Sequence, residues 1–241
     1  MLFRSRIGIL REPIGVASEP SSEDFRKVND VFEKNIAELR AAGAEIVDPI
    51  VIPDLKILLA KRVADTSASD EALRLYLARN PNSPFKNRQD IANSPLLEQS
   101  FPANKRTLWT EPFQSTDAAK FGEYLKARNQ LMTNMLKVMA DNRLDAIVHK
   151  TVEHQPTLIK DGIAPPYVSQ KGVPSLNTFL VFVSTMTVPS GFTTDNLPVG
   201  ITFLGRPYSE PVLIKLGYAY EQATHHRVPP KTTPVLTSAA P

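Results

Sequence analysis

Two histidines five residues apart, His149 and His154, enclose Lys150 and Glu153. A histidine pair beside a carboxylate could hold a divalent metal. The spacing is not the His-x-x-x-His of a helical zinc site, however, and the segment runs from a strand into a loop, so no metal is assigned. Ser169 and Lys171 could imitate a serine–lysine dyad, yet both are ordinary loop residues. Ser190, in Pro189-Ser190-Gly191, resembles part of a nucleophile turn but lacks the Gly-x-Ser-x-Gly frame that exposes such a serine. His225-His226-Arg227 closes a helical stretch, where the dipole favours positive charge, and end-capping is the plain role for it. Trp109, the single tryptophan, either faces a ligand or fastens its segment to the core, the second being the commoner use of an aromatic side chain.

Bulk composition narrows the classes open to the chain. With 241 residues, of which 42% are hydrophobic, it has enough apolar surface for a sizeable core. The 28 basic and 25 acidic residues are interspersed, so the sequence carries no broad electrostatic footprint for nucleic acid. There is no cysteine, which removes a disulfide framework, a thiolate nucleophile and a thiolate metal site. The apolar run Ile7 to Leu10 is too short for a signal core or a membrane span, and a cytoplasmic location is the default expectation.

The elements that would position these residues are legible in outline. Arg6 to Leu10 reads as a buried strand. Ser21 with Asp24 suggests a capping-box-like start, followed by Val28, Val31, Phe32, Ile36 and Leu39 at helical spacing until Gly43 supplies a C-cap. Ala44 to Val47 reads as a second strand, and strand, helix, strand within about forty residues favours a parallel crossover. Residues 54–117 are proline-rich and weakly periodic, with helical patches at Leu55–Ala64 and Ala72–Leu77, and read as an insertion or lid.

From Thr116 a long amphipathic helix is predicted, with Met132, Met135 and Met139 as core filling and Arg128 laying its stem along the apolar stripe. Asp145 to Val148 then enters a strand. Phe179 to Val183 fits either a strand or a buried helix end. Met186-Thr187-Val188 and Val199 to Leu204 read as neighbouring strands. Ser209 and Pro211 open a last helix carrying Val212, Leu213, Leu216, Tyr220 and Ala223 on its buried side. Residues 231–241 form a flexible tail.

Five phrases in order give a resemblance: Arg6-Ile7-Gly8-Ile9-Leu10, Ala42-Gly43-Ala44, Leu144 to Val148, Val188-Pro189-Ser190-Gly191-Phe192 with Leu197-Pro198-Val199-Gly200, and Glu221-Gln222-Ala223-Thr224-His225-His226-Arg227. In this order the chain resembles the C-terminal half of amidase signature enzymes. The resemblance implies a single α/β region over 1–241, with a mixed sheet flanked by helices, and hydrolysis of carbon–nitrogen bonds in a small-molecule amide without metal or organic cofactor. It places Ser190 at a strand-end loop facing the substrate side, and Thr151, where relatives often carry Pro-Thr after a strand, on the same side. With Trp109 these are the candidate substrate contacts.

The family mechanism uses a lysine, a bridging serine and a nucleophilic serine, with an oxyanion site in a Gly-Gly-Ser-Ser-type loop. This sequence has 10 glycines and no Gly-Gly pair, so no catalytic residue is assigned. The resemblance therefore implies a substrate-channel half without turnover of its own, its N-terminal half missing or supplied by a partner chain. The rival expectation is a non-catalytic binding or scaffolding protein that reuses the half-fold.

Overall fold

The computed structural model describes residues 5–63, 67–101, 103, 106, 109, 117–180 and 183–232. The expected crossover is present. Strand β1 (Arg6–Leu10) leads through a two-residue strand β2 (Gly15–Val16) into helix α1 (Glu23–Ala41), which returns the chain to β3 (Glu45–Ile50). β1 and β3 run parallel, with Ile7 opposite Ile46. The cap of α1 is Ser22 rather than Ser21: the Ser22 hydroxyl accepts from the Phe25 N–H at 3.2 Å. At the other end Gly43 takes φ +96°, a conformation that a side chain would strain, and this lets the chain turn straight into β3.

Short helices α2 (Leu55–Leu59), α3 (Ser67–Ala78), α4 (Arg88–Ala92) and α5 (Pro95–Ser100) occupy the segment read as an insertion. Helix α6 (Ala118–Asp141) follows, its first turn capped by the Asp117 carboxylate, which accepts from the Ala119 and Lys120 N–H groups. Beyond it come β4 (Ala146–Lys150), α7 (Ile159–Ile163), β5 (Val173–Pro174) and α8 (Leu176–Phe179). The Phe179–Val183 run is thus a helix end over its described part. The hairpin β6 (Thr185–Phe192) and β7 (Pro198–Leu204) precedes α9 (Glu210–Thr224). Ser209 stands at the start of α9, but its hydroxyl donates to the Arg206 carbonyl instead of capping. The tail beyond residue 232 lies outside the described residues.

Five strands form one mixed sheet in the order β3-β1-β4-β7-β6. β1 and β4 are parallel, whereas β4–β7 and β7–β6 are antiparallel. Alternation sends successive side chains to opposite faces. Ile7, Ile9, Val148, Ile201 and Phe203 face α1 and α9, where they meet Phe32, Ile36, Leu213, Leu216 and Tyr220. Leu10, Ile147 and Leu204 face the other way, against Leu131, Met135 and Met139 of α6 and Phe179 of α8. Met135 and Met139 are fully buried there, filling the core. No helix among the described residues is long and apolar enough to cross a membrane.

Candidate functional site

The second face of the sheet is covered over β1 and part of β4, but toward the β6 edge the covering runs out. Thr187 and Pro189 of β6 stand exposed there. In this open corner three threonines from three adjacent strand paths line up. Thr151, just past β4, places its Oγ1 2.8 Å from that of Thr202 on β7, which lies 2.9 Å from the Oγ1 of Thr187 on β6. Backbone pairing sets this row: Thr187 lies opposite Thr202, and the Thr151 N–H donates to the Gly200 carbonyl at 3.1 Å.

Beside the row lies a cleft of about 360 Å³, walled by Val28, Val152, Val188, Pro189, Leu197 and Val199, with Thr151, Thr187 and Gly200 on its lining. That volume is in the range of small-molecule sites, and apolar walls with a few polar groups are the usual composition of such sites. His154 also lines the cleft. Its Nε2 accepts from the Glu19 N–H at 2.8 Å, and its Nδ1 lies 3.4 Å from the Ser22 hydroxyl. This histidine thereby ties the loop before α1 to the cleft wall. Glu153 does a similar job one residue earlier, its carboxylate accepting from the Ile14 and Gly15 N–H groups at 2.7 and 3.1 Å.

The candidate residues fall in three different places. Thr151 is on the cleft. Ser190 is on the opposite face of the sheet, fully buried beneath α1, and its hydroxyl has no hydrogen-bond partner among the described residues. Its carbonyl accepts from the Asn35 Nδ2 at 2.7 Å. Trp109 packs in the insertion segment, its ring 6.0 Å from that of Phe101 and 5.3 Å from the Arg88 guanidinium carbon. The structure thus brings none of the three together.

Of the other groups, Lys171 is engaged by Glu19 at 2.5 Å, along a polar groove that Ser169 also lines. His149 Nδ1 donates to the Lys150 carbonyl, and no cluster of three His, Asp or Glu side chains suited to a metal occurs among the described residues. His226 does not cap its helix. It donates from Nε2 to Glu38 of α1 at 2.8 Å, while His225 takes the left-handed C-cap position.

Lys150 is a further buried group that composition does not announce. Its ammonium donates to Asn29 Oδ1 at 3.0 Å and sits 4.1 Å above the Phe25 ring, 4% of the residue being exposed. Burial lowers its pKa, an effect only partly offset by Glu153 and Glu33. Lys150 is not on the lining of the cleft.

The threonine row was missed in the sequence, although a signal existed: Thr187 and Thr202 each sit between apolar neighbours in strands expected to pair, which puts both on one face.

Known proteins share both the sequence pattern and the arrangement of strands and helices. The amidase family pattern matches residues 4–214. The chain belongs to the amidase family. A probable amidase of Arabidopsis thaliana is 28% identical over 95% of this chain and 41% of its own length. A glutamyl-tRNA(Gln) amidotransferase subunit of Thermodesulfovibrio yellowstonii is 28% identical over 90% of the chain and 46% of its own length. Among solved structures, native peptide amidase from Stenotrophomonas maltophilia superposes with a TM-score of 0.60 at 25% identity, over 95% of this chain and 45% of that one. Allophanate hydrolase from Kluyveromyces lactis shares the fold, with a TM-score of 0.61 at 21% identity over 93% of this chain and 33% of that one. The chain spans less than half the length of these relatives.

Proposed function

We propose that this chain forms the substrate-channel half of an amidase that hydrolyses the carbon–nitrogen bond of a small-molecule amide. In this reading the nucleophile, its lysine base and the oxyanion donors come from residues outside these 241, on the same polypeptide or on a partner chain. The observation that carries it is the open corner of the sheet. A cleft with apolar walls and a hydroxyl row lies beside an edge strand whose outward face is exposed, in a chain that aligns over nearly its whole length with less than half of each relative. An exposed edge strand of eight residues is a template for further pairing.

The test combines size-exclusion chromatography with light scattering and an assay against aryl and alkyl amides, with and without a co-produced glycine- and serine-rich N-terminal half taken from a relative. The expected result is no turnover from the chain by itself, and turnover in a one-to-one complex. A monodisperse chain that binds no such half and gives no turnover favours the scaffolding alternative. Turnover by the isolated chain, lost on Ser169→Ala or Lys171→Met, would overturn the assignment of chemistry to other residues.

A further inference from the structure

Among the described residues, the cleft has no carboxylate, ammonium or guanidinium on its lining. Its one titratable side chain, His154, has Nε2 committed to the Glu19 N–H and Nδ1 facing Ser22. A charged ligand would therefore give up hydration without meeting a counter-charge. An uncharged ligand meets no such penalty.

The hydroxyl row makes the selection more specific. Each threonine hydroxyl has one proton to donate and two lone pairs. Three hydroxyls supply three protons, but the row contains two hydroxyl–hydroxyl contacts. With Thr202 donating to one neighbour and accepting from the other, one end of the row keeps a spare proton and the other end offers lone pairs. Reversing the row exchanges the two ends. Thr151 and Thr187 can thus present a donor and an acceptor, separated by no more than the span of two hydrogen bonds. A carboxamide carries the matching pair, a carbonyl oxygen and an N–H, on one carbon.

The floor between them is open because residue 200 is glycine. A Cβ at that position would stand 3.1 Å from Thr151 Oγ1 and 3.2 Å from Thr187 Cγ2, in the space a ligand would need to reach both hydroxyls. Around this polar spot the lining carries valine, proline and leucine side chains, which favour an aliphatic group, together with Gln155 and Thr193.

We propose that the cleft is a subsite for a small, uncharged carboxamide bearing an aliphatic group, with Thr151 and Thr187 as its specificity-determining contacts and Gly200 as its floor. The proposal rests on the amide-hydrolase reading for its substrate class, while its geometry belongs to this chain.

The test is an NMR titration of the 241-residue chain at neutral pH with isovaleramide, and with isovalerate and isoamylamine as charged counterparts. Isovaleramide is expected to shift the backbone amide signals of Thr151, Thr187 and Gly200, and to bind at least about tenfold more tightly than either charged probe. Thr151→Val and Thr187→Val are each expected to weaken it about 3- to 10-fold, the effect of one neutral hydrogen bond, while Thr187→Ser, which keeps the hydroxyl, stays within about twofold of the parent chain. Equal binding of the three probes, shifts confined to other parts of the chain, or valine variants that bind as the parent does would each overturn the proposal. Cleft binding in a chain that never supports turnover with an N-terminal half would refute the hydrolase reading and leave the subsite standing. Turnover without cleft binding would do the reverse.

Discussion

The same three strands, β4, β7 and β6, present two unlike faces. Toward α1 and α9 they carry Val148, Ile201 and Phe203, sealed under two helices. On the other side β7 and β6 carry Thr202 and Thr187, joined to Thr151 just past β4, with Thr187 exposed at the cleft. The difference arises from one-residue alternation along each strand, and it teaches that the same backbone supplies both the packed core and the hydroxyls that reach the cleft.

Truncation across the two faces is the strongest way to break the comparison. Phe32→Ala, removing a ring that is 1% exposed beneath the sheet, is expected to cost about 3–5 kcal/mol, the range for a buried aromatic replaced by alanine. Thr187→Val, on the exposed side, is expected to stay within about 0.5 kcal/mol. Denaturant melts of the two variants check this. Comparable losses would mean that the cleft side is also core.

Next in size is the polar contact at Ser190. Asn35 is fully buried and donates to the Ser190 carbonyl, so Asn35→Ala leaves that carbonyl unpaired under α1 and is expected to cost about 1–3 kcal/mol. Ser190→Ala removes a hydroxyl that has no partner among the described residues, and a near-neutral change is expected. Urea midpoints measured for both variants decide between a structural serine and an active one: a Ser190→Ala variant of full stability with abolished turnover in a complemented enzyme would return Ser190 to the site.

A smaller effect of opposite sign is expected at Lys150. Burial depresses its pKa, so between the folded value and the unfolded value near about 10.4 the unfolded chain binds the extra proton and stability rises with pH. Lys150→Met keeps much of the contact with Phe25 and Phe32 and removes the buried charge. It is expected to stabilise the fold by about 1 kcal/mol at pH 7 and to flatten the alkaline rise. A destabilised variant would show instead that the bond to Asn29 and the ring contacts outweigh desolvation.

Legibility in the sequence followed the range of the interaction. The β1–α1–β3 crossover, the long helix α6, the β6–β7 pairing and α9 all follow from local periodicity and turn residues and appear where they are read, although Val212 and Ala223, placed on the buried side of α9, are exposed. The β2–β5 ribbon joins Gly15-Val16 to Val173-Pro174 across more than half the chain, and two residues carry no periodic signal. The same holds for the site. The resemblance offers Thr151 as an expectation, and which threonines stand beside it is set by the pairing register that puts Thr187 opposite Thr202. The resemblance places Ser190 at a strand-end loop facing the substrate side, whereas it lies within β6, where alternation from Val188 turns its buried side chain to the α1 face. His226 reads locally as a helix end, whereas its partner Glu38 is 188 positions away in sequence.

That distant pair supplies the smallest and most pH-specific prediction. Glu38 Oε2 accepts from His226 Nε2 at 2.8 Å, from the Tyr220 hydroxyl at 2.9 Å and from Asn35 Nδ2 at 3.3 Å, joining α1 to α9 on the sealed face. Burial pushes its carboxyl pKa up, but these hydrogen bonds outweigh burial and hold it below the ordinary carboxylate range. A depressed folded pKa means that the contribution is complete above the unfolded value of about 4.3 and is lost as pH falls through the folded value. Glu38→Gln cannot ionise, so it is expected to lower stability by about 0.5–1 kcal/mol at pH 7 and by progressively less toward pH 3. Parallel melting curves for the parent and variant across that range measure the convergence. A gap that stays constant with pH would show that Glu38 acts through packing and neutral hydrogen bonding, and would detach the sealed face from any carboxylate titration.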